Sequence, residues 1–309
     1  MKICLTGASS FTGYWFAHAL SEAGHHVVAP LRGDTAAYEG VRGERVRRLS
    51  DVAEIRTGLS FGDDGFLDLL SGEDFDLLAH HAANVTNYKS LDFDVSAALA
   101  DNTRNLPAVL KLFQERGGQT VVLTGSVFEQ GEGAGNEPMR AFSPYGLSKG
   151  LTADVFDYWT TLLGLRMGKF VIPNPFGPLE EPRFCSYLIR CWKKGEAASV
   201  QTPRYVRDNI HVGLMAKAYA AFCAETAEAR SDTRLNPSGY VETQGAFAER
   251  FAREIGPRLG LDARVELKDQ TVFDEPLMRV NTQPLDTASL GWDERAAWDE
   301  AADFYRQAV

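Results

Sequence analysis

The sequence has few of the features that mark several large classes of protein. Its 309 residues include four cysteines, none of them in a C-x-x-C or Cys/His ligand spacing. Lysine and arginine number 32 against 42 acidic residues, so the net charge is −10 and no basic block stands out. No apolar run approaches the roughly 20 residues that cross a bilayer, and no cationic leader precedes an apolar segment at the N-terminus. We therefore expect a cytoplasmic protein with reduced thiols, and no metal site, nucleic-acid partner or membrane partner.

The first 175 residues alternate short apolar runs with helical patterns. Strands are predicted at Lys2–Thr6, His26–Leu31, Asp76–His80, Thr120–Leu123 and Leu165–Ile172. Helices are predicted near 13–23, 62–71, 95–116 and 144–163. This alternation favours an α/β fold in which helices cover both faces of a parallel sheet.

The pattern changes after Pro173, where four prolines and one glycine within ten residues break the chain. Helical patterns then follow near 183–195, 212–226 and 242–258, with few strong strand patterns. We predict one domain over residues 1–175, to which later segments return, and a smaller, mainly helical C-terminal lobe over 176–309.

A glycine-rich turn, T-G-A-S-S-F-T-G at 6–13, lies between the first strand and the first helix. Gly7 permits the tight turn, and Gly13 lets helix and strand pack closely. The N–H groups at the helix start can hold a pyrophosphate, helped by the helix dipole. Predicted cofactor contacts here are Gly7, Ser9, Ser10, Phe11, Thr12 and Gly13. Ser10 stands where such turns often carry a middle glycine, so its side chain either crowds the phosphates or bonds them.

The end of the second predicted strand bears on the choice of cofactor. A carboxylate there would bond the ribose 2′-OH of NAD, whereas a cation would suit the 2′-phosphate of NADP. The chain runs V-V-A-P-L-R-G-D, with Arg32 at the strand end and no acid before Asp34. This favours NADP and leaves NAD possible, since Arg32 could also be solvated or stack on the adenine.

A tyrosine and a lysine stand four residues apart in the segment S-P-Y-G-L-S-K at 143–149. Ser143 suits a helix N-cap and Pro144 the first turn, so Tyr145 and Lys149 would share one helical face. A phenol has a pKa near 10, and a nearby ammonium favours the phenolate. Tyr145 could then exchange a proton with a carbinol or carbonyl oxygen while hydride moves. A surface pair of residues is the alternative interpretation.

Several motifs together resemble the extended short-chain dehydrogenases/reductases. The glycine turn, the strand-end Ser126 in T-G-S-V-F-E-Q, and Y-x-x-x-K occur in that family's order. Further similar segments are H-H-A-A-N at 80–84, N-P-F-G-P at 174–178, Y-V-R-D-N-I-H-V at 205–212 and L-G-W at 290–292. The resemblance implies a Rossmann-type sheet, a C-terminal substrate lobe and NAD(P)-dependent redox chemistry, usually on nucleotide sugars. Relatives often dimerise, and the helices near 95–116 and 144–163 carry apolar faces, so a homodimer is expected.

The resemblance also implies roles for single residues. Ser126 would hydrogen-bond the reacting oxygen, Tyr145 would be the acid/base, and Lys149 would tune it and hold the nicotinamide ribose. Further cofactor contacts would come from His81, Ala82, Ala83 and Pro173. Substrate contacts would come from Asn84, Tyr88, Ser126, Asn174 and Arg207. Arg207 would face the diphosphate or nucleoside, or else form a salt bridge with Asp208 or another acid.

Two departures from the family pattern affect the mechanism. Leu99 stands where many relatives have a relay asparagine, and Asn102 falls where they have a glycine. Sugar-nucleotide dehydratases place Asp-Glu after the strand-end hydroxyl, but this chain has Val127 and Phe128, with Glu129 one residue too late. Dehydration is therefore disfavoured. We expect reduction of a 4-keto-6-deoxy nucleotide sugar, with a 4-epimerase using bound NAD, a non-sugar ketoreductase and a non-catalytic NADP sensor as alternatives.

Overall fold

The computed structural model describes residues 1–135 and 139–308. The strands, numbered in chain order, are β1 (Lys2–Thr6), β2 (His26–Pro30), β3 (Glu54–Arg56), β4 (Leu77–His80), β5 (Thr120–Ser126), β6 (Ala134–Gly135), β7 (Arg166–Ile172), β8 (Asn174–Phe176), β9 (Ala198–Val200), β10 (Val206–His211), β11 (Thr233–Leu235), β12 (Pro237–Ser238), β13 (Tyr240–Thr243), β14 (Val265–Leu267), β15 (Met278–Val280) and β16 (Gln283–Pro284). The helices are α1 (Phe11–Glu22), α2 (Gly40–Leu49), α3 (Asp64–Gly72), α4 (Val95–Asn102), α5 (Leu106–Glu115), α6 (Pro144–Leu163), α7 (Phe184–Lys193), α8 (Val212–Glu228), α9 (Gln244–Leu259) and α10 (Glu294–Ala308).

The main sheet has seven strands in the order β11-β7-β5-β4-β1-β2-β3, and every neighbouring pair is parallel. Strands β1, β4 and β5 are buried along nearly their whole length, as a sheet covered on both faces requires. The strand order reverses between β1 and β4, and ligands bind at such switch points, beyond the carboxyl ends of the strands. The predicted Rossmann-type, doubly wound sheet is confirmed.

Two apolar layers cover the sheet. On one face, α1, α2 and α8 pack together, and the rings of Phe16 and Tyr219 stack with centroids 3.8 Å apart. On the other face, α3, α5 and α6 contribute the buried rings Phe66, Phe113 and Phe156. The predicted arrangement, with helices on both faces of the sheet, is confirmed.

The C-terminal part has its own core, which α7, α9 and α10 enclose around Trp192, Phe251 and Trp298. It also contains short strands that the sequence pattern does not predict. Strands β13, β10, β15 and β6 form a sheet in that order, with β8 beside β10. These strands span two to six residues, too few to show an alternating pattern. Helix α8 and strand β11 return to the main sheet, and the division at residue 175 stays a prediction.

One predicted helix needs correction, and another helix was not predicted. The single helix near 95–116 is wrong, because α4 and α5 are separated at Asn105, which has a left-handed φ of 50° just before Pro107. Helix α2 was missed because its sequence, G-V-R-G-E-R-V-R-R-L, is mostly polar. Across the described residues, no helix is both long enough and apolar enough to cross a membrane.

Candidate functional site

The predicted site residues gather at the carboxyl edge of the main sheet. Gly7 follows β1, His81 follows β4, Ser126 ends β5 and Pro173 follows β7. These four strands are neighbours in the sheet, in the order β7-β5-β4-β1. The switch point between β1 and β4 therefore opens between the glycine-rich turn and the loop after β4, where a dinucleotide binds in such folds.

The glycine-rich turn packs directly against the loop after β4. Gly7 has φ 76°, and a Cβ on it would lie 2.8 Å from the backbone nitrogen of Ala82. The Thr6 hydroxyl oxygen accepts hydrogen bonds from the backbone N–H groups of His81 (3.1 Å) and Ala82 (3.0 Å). The two segments, one carrying Gly7 to Gly13 and the other His81 to Ala83, thus pack against each other, and we call them together the cradle.

Ser10, the residue in the middle-glycine position, is held by protein groups. Its Oγ accepts a hydrogen bond from the backbone N–H of Gly13 at 3.1 Å and so caps α1. The same Oγ lies 3.1 Å from Nε2 of His81, and the Thr12 hydroxyl lies 2.9 Å from that nitrogen. Burial and nearby Lys149 lower the pKa of His81 to about 3, so the imidazole is neutral at physiological pH. The Ser10 hydroxyl therefore points to His81 and Gly13.

A second arginine, Arg42, contacts the glycine-rich turn. Arg32 is exposed just beyond β2. Arg42 on α2 donates to the Ser9 hydroxyl (2.8 Å) and lies 5.0 Å from the ring centroid of Tyr38. The Tyr38 hydroxyl in turn accepts from the backbone N–H of Gly33 at 3.2 Å. Sequence reasoning did not assign Arg42, because its partner Ser9 lies 33 residues away in the chain.

A third arginine, Arg45, joins the cofactor cradle to the segment after β8. Its guanidinium is fully buried and donates to the carbonyl oxygens of Ser9 (3.1 Å) and Leu179 (2.7 Å). It also forms a salt bridge of 2.5 Å with Glu181. Burial lowers the pKa of Arg45, with Glu181 opposing this. Sequence reasoning missed this link, because its partners lie up to 136 residues away.

The start of α6 places Tyr145 beside the loop that follows Ser126. Ser143 caps the helix by accepting from the backbone N–H of Gly146 at 3.2 Å, and Pro144 begins the first turn, as predicted. A Cβ on Gly146 would lie 2.1 Å from the carbonyl oxygen of Phe128. The absence of a side chain at residue 146 therefore lets the helix start touch the loop after β5.

Tyr145 and Lys149 have different surroundings. The ring of Tyr145 packs against the rings of Tyr88 and Phe93, with centroids 5.6 Å and 5.9 Å away. Burial raises the pKa of Tyr145, and the charge of Glu129 raises it further. Lys149 is buried, its Nζ donates to the carbonyl oxygen of Thr124 at 2.6 Å, and burial lowers its pKa to about 8. The expectation that Lys149 lowers the pKa of Tyr145 is not met here, because the ammonium reaches the strand instead.

Ser126 ends β5 in a tight turn. Its Oγ accepts from the backbone N–H of Phe128 at 3.2 Å, and its own N–H donates to Glu129 Oε1 at 2.7 Å. Val127 is buried, and the ring of Phe128 stacks on Phe142 at 4.6 Å. The two positions after Ser126 are thus apolar, while the Glu129 carboxylate turns back into the protein.

Asn84 and Asn102 connect the loop after β4 to α6. The backbone N–H of Asn84 donates to Asn102 Oδ1 at 2.9 Å, and Asn102 Nδ2 donates to the Thr152 hydroxyl at 3.2 Å. Asn102 is buried. It therefore fixes the loop that carries Tyr88 relative to the helix that carries Tyr145, a role that sequence reasoning did not assign.

The predicted substrate residues of the C-terminal part are engaged with protein groups. Asn174 Nδ2 donates to Asn209 Oδ1 at 2.5 Å across the β8–β10 pair. Arg207 forms a salt bridge with Glu275 (2.7 Å) and lies over the ring of Tyr205, 4.6 Å from its centroid. The salt-bridge alternative is thus realised, with Glu275 as its acid. Within residues 1–135 and 139–308, no group of three or more His, Cys, Asp or Glu could hold a metal ion.

The chain is similar to known proteins over nearly its whole length. The model of the family described as "NAD dependent epimerase/dehydratase family" matches residues 3–236. A search of curated proteins gives no match.

Among solved structures, the chain is similar to the UDP-glucose 4-epimerase of Thermotoga maritima with UDP-glucose, at 18% identity and TM-score 0.73, over 99% of both chains. It is also similar to the UDP-glucuronic acid 4-epimerase of Bacillus cereus in complex with UDP-glucuronic acid and NAD, at 15% identity and TM-score 0.73, over 100% of both chains. A third similar structure is the UDP-glucose 4-epimerase of Thermus thermophilus in complex with NAD, at 20% identity and TM-score 0.71, over 100% of both chains. At these identities the likeness establishes the fold.

Proposed function

Since the chain belongs to the NAD dependent epimerase/dehydratase family, we propose that it reduces a 4-keto-6-deoxy nucleotide sugar with NADPH. Two contacts support the proposal: the start of α6, next to Tyr145, packs against the loop after Ser126, and Lys149 bonds Thr124 on the strand that Ser126 ends. The apolar Val127 and Phe128 follow Ser126, so the acid and base that elimination needs are missing from those positions. Hydride and proton transfer remain as the chemistry that these side chains can support.

The residues divide the work as follows. The Gly7–Gly13 turn would hold the pyrophosphate through backbone N–H groups at the start of α1, and the lack of a side chain at Gly7 lets this turn pack against the backbone of Ala82. A bound nicotinamide dinucleotide would supply the hydride. Ser126 Oγ would hydrogen-bond the substrate carbonyl oxygen, and Tyr145 would protonate that oxygen as the carbon is reduced. Lys149, whose pKa is lowered to about 8, would hold the nicotinamide ribose and assist proton return to Tyr145.

Arg32 and Arg42 support the choice of NADPH. Arg32 follows β2, and Arg42 contacts Ser9 of the cradle, so two guanidiniums lie near the edge where the adenosine ribose would sit. Guanidinium groups bind phosphate well through paired N–H donors. A reductase consumes one NADPH in each turnover and releases NADP, so a preference for NADPH fits this reaction.

A 4-epimerase is the second candidate. The similar structures from Bacillus cereus and Thermus thermophilus are 4-epimerases that contain NAD. The same three side chains would serve, with Tyr145 first taking and then returning the proton as hydride leaves and comes back to the other face of the sugar.

One experiment separates these proposals. The purified protein is denatured, and any released nucleotide is identified by mass spectrometry. UDP-, GDP-, dTDP- and CDP-linked sugars, in keto and hydroxyl forms, are then supplied while NADPH absorbance is followed. Net NADPH consumption with a 4-keto sugar supports the reductase. Released NAD with interconversion of isomers supports the epimerase, turnover of ketones without a nucleotide supports a non-sugar ketoreductase, and tight binding without turnover supports an NADP sensor.

Replacing Arg32 by alanine should weaken NADPH binding far more than NADH binding. Loss of one charge-assisted contact of about 1.5–3 kcal/mol would lower NADPH affinity roughly 10- to 100-fold. Arg42→Ala should also weaken NADPH binding. It should weaken NADH binding to a smaller extent, because Arg42 also bonds Ser9 of the cradle. Fluorescence titration with both cofactors measures this. Arg47→Ala is the matched control, because Arg47 pairs with Glu44 on the exposed face of α2. Equal losses of affinity for NADPH and NADH would show that Arg32 does not contact the 2′-phosphate.

We also propose that the protein is a homodimer that pairs through α6. Tyr158 and Leu162 on this helix are exposed over about three-fifths of their surface, at 62% and 61%. Two large apolar side chains one turn apart would be covered by a second copy. Light scattering coupled to size exclusion would give the mass of the particle, and a monomer at micromolar concentration would reject the proposal.

A further inference from the structure

A group of charges built around two buried carboxylates lies directly behind Ser126. We name it the Glu129 cluster, and it consists of Glu129, Glu132, Lys169, Arg234 and Arg279. The two carboxylates are almost fully buried, at 0% and 1% exposure. Lys169 Nζ lies 2.6 Å from Glu129 Oε2 and 2.6 Å from Glu132 Oε1. Arg234 forms a salt bridge with Glu132. Buried carboxylates are costly unless they are paired, and Lys169 pairs with both of them, while Arg234 also pairs with Glu132.

The cluster is in contact with the end of β5. Glu129 Oε1 accepts a hydrogen bond from the backbone N–H of Ser126 at 2.7 Å. A Cβ on Gly125 would lie 2.8 Å from Lys169 Cε and 3.1 Å from Glu129 Oε1, so the charged pair packs against the strand itself. Arg279 donates to the carbonyl oxygens of Val127 (2.9 Å) and Glu129. The turn that carries Ser126 is therefore fixed by buried charges on β7 and β15.

The same pair acts electrostatically on the two other catalytic candidates. The charge of Glu129 raises the pKa of Tyr145 and also the pKa of Lys149. Lys169 has the opposite effect on Lys149, whose pKa it lowers. Lys149 Nζ bonds the carbonyl of Thr124, two residues before Ser126 on the same strand, which brings its ammonium close to the cluster.

Other ionisable groups also face these two residues. Tyr88 and Arg183 influence Tyr145, the first raising and the second lowering its pKa. On the side of Lys149 lie His80 and His81, each with a pKa near 3 and therefore uncharged in the working range. Glu129 and Lys169 are thus the charged partners of Lys149 that can be altered separately.

We propose that Glu129 and Lys169 are a pair of positioning residues, which hold the Ser126 turn and balance the charge that Tyr145 and Lys149 experience. The inference rests on the proposed oxidoreductase function. It also assigns a role to Glu129, the acid three residues after Ser126. This position is one residue too late for the acid of a dehydratase, and the carboxylate turns back into the protein.

The test uses two variants that each remove one charge, Glu129→Gln and Lys169→Gln. Glutamine at 129 keeps an oxygen for the Ser126 N–H but removes the negative charge. Both Tyr145 and Lys149 then lose protons more readily, so the alkaline limb of kcat/KM for reduction moves to lower pH. Loss of the positive charge at 169 stabilises the Lys149 ammonium, so that limb moves to higher pH. Shifts of about 0.5–1 pH unit are expected, below the 1–3 units seen for directly paired groups.

Opposite shifts from the two sides of one ion pair are the decisive result. A purely structural role would lower activity in both variants and leave the midpoint where the unaltered protein has it, or move both midpoints the same way. Either outcome overturns the inference. Glu129→Asp is the matched variant that keeps the charge, so its midpoint should stay with that of the unaltered protein even if its rate falls. Thermal unfolding confirms that each variant is folded.

A second readout keeps this inference separate from the proposed function. NADPH affinity is titrated against pH by fluorescence, without substrate, because Lys149 would contact the cofactor ribose. The same opposite shifts are expected there. If the protein turns over no sugar but the binding midpoints shift in opposite directions, the proposed reaction fails and the pair retains its role. If turnover is found but neither profile shifts, the pair has no such role.

Discussion

Replacing Tyr145 by phenylalanine is expected to lower kcat by about 10²- to 10⁴-fold, the usual contribution of a positioned acid/base. The substitution removes only the hydroxyl. The ring keeps its contacts with Tyr88 and Phe93, so the pocket should keep its shape and its cofactor affinity. The raised pKa of Tyr145 means that the phenol is protonated at neutral pH, which suits an acid that donates to a carbonyl oxygen during reduction.

The measurement is steady-state kcat with the substrate found by the screen, together with NADPH affinity by fluorescence. Tyr158→Phe is the matched control, because it removes one hydroxyl from a tyrosine of the same helix and keeps the ring that a second copy would cover. It should leave both quantities unchanged. A Tyr145→Phe protein with near wild-type turnover would show that another group handles the proton.

The parts of the site that the sequence predicted are those set by local chemistry. Ser143 caps α6 and Pro144 opens it because both preferences depend on the first helical turn alone. The same holds for the turn at Gly7, whose φ of 76° follows from the tight connection between β1 and α1. Strands β1, β4, β5 and β7 were found within a few residues, because buried parallel strands are continuous apolar runs.

The parts that could not be predicted depend on contacts between distant segments. Arg45 joins Ser9 to Leu179, and Asn102 joins the loop after β4 to α6. In both cases the bonded residues are far apart in the sequence. The four-residue spacing of Tyr145 and Lys149 gave their common helical face but not the direction of the lysine, which reaches Thr124 on β5. Spacing fixes where a side chain starts, whereas tertiary packing decides where a long side chain ends.

Gly146→Ala is expected to lower kcat by about 10²-fold, because a displacement of about 1 Å at a catalytic group has that effect. The added Cβ would lie 2.1 Å from the carbonyl oxygen of Phe128 and 2.7 Å from its carbonyl carbon. Backbone atoms on the loop after Ser126 cannot turn away as a flexible side chain could, so the start of α6 must move. Tyr145 precedes this glycine and would move with it, away from Ser126. The same clash should destabilise the fold by about 1–3 kcal/mol, which urea unfolding measures.

Gly72→Ala separates this effect from the general influence of alanine in a helix. Gly72 ends α3, and a Cβ there would meet no heavy atom within 4 Å. Alanine at 72 should leave kcat unchanged and leave stability equal or raised by up to about 1 kcal/mol, since alanine favours helix. If Gly146→Ala behaved like this control, the contact between α6 and the loop after β5 would not determine the position of Tyr145. The expected contrast follows from geometry: both changes add one methyl group, but only at residue 146 would it meet the backbone that carries Ser126.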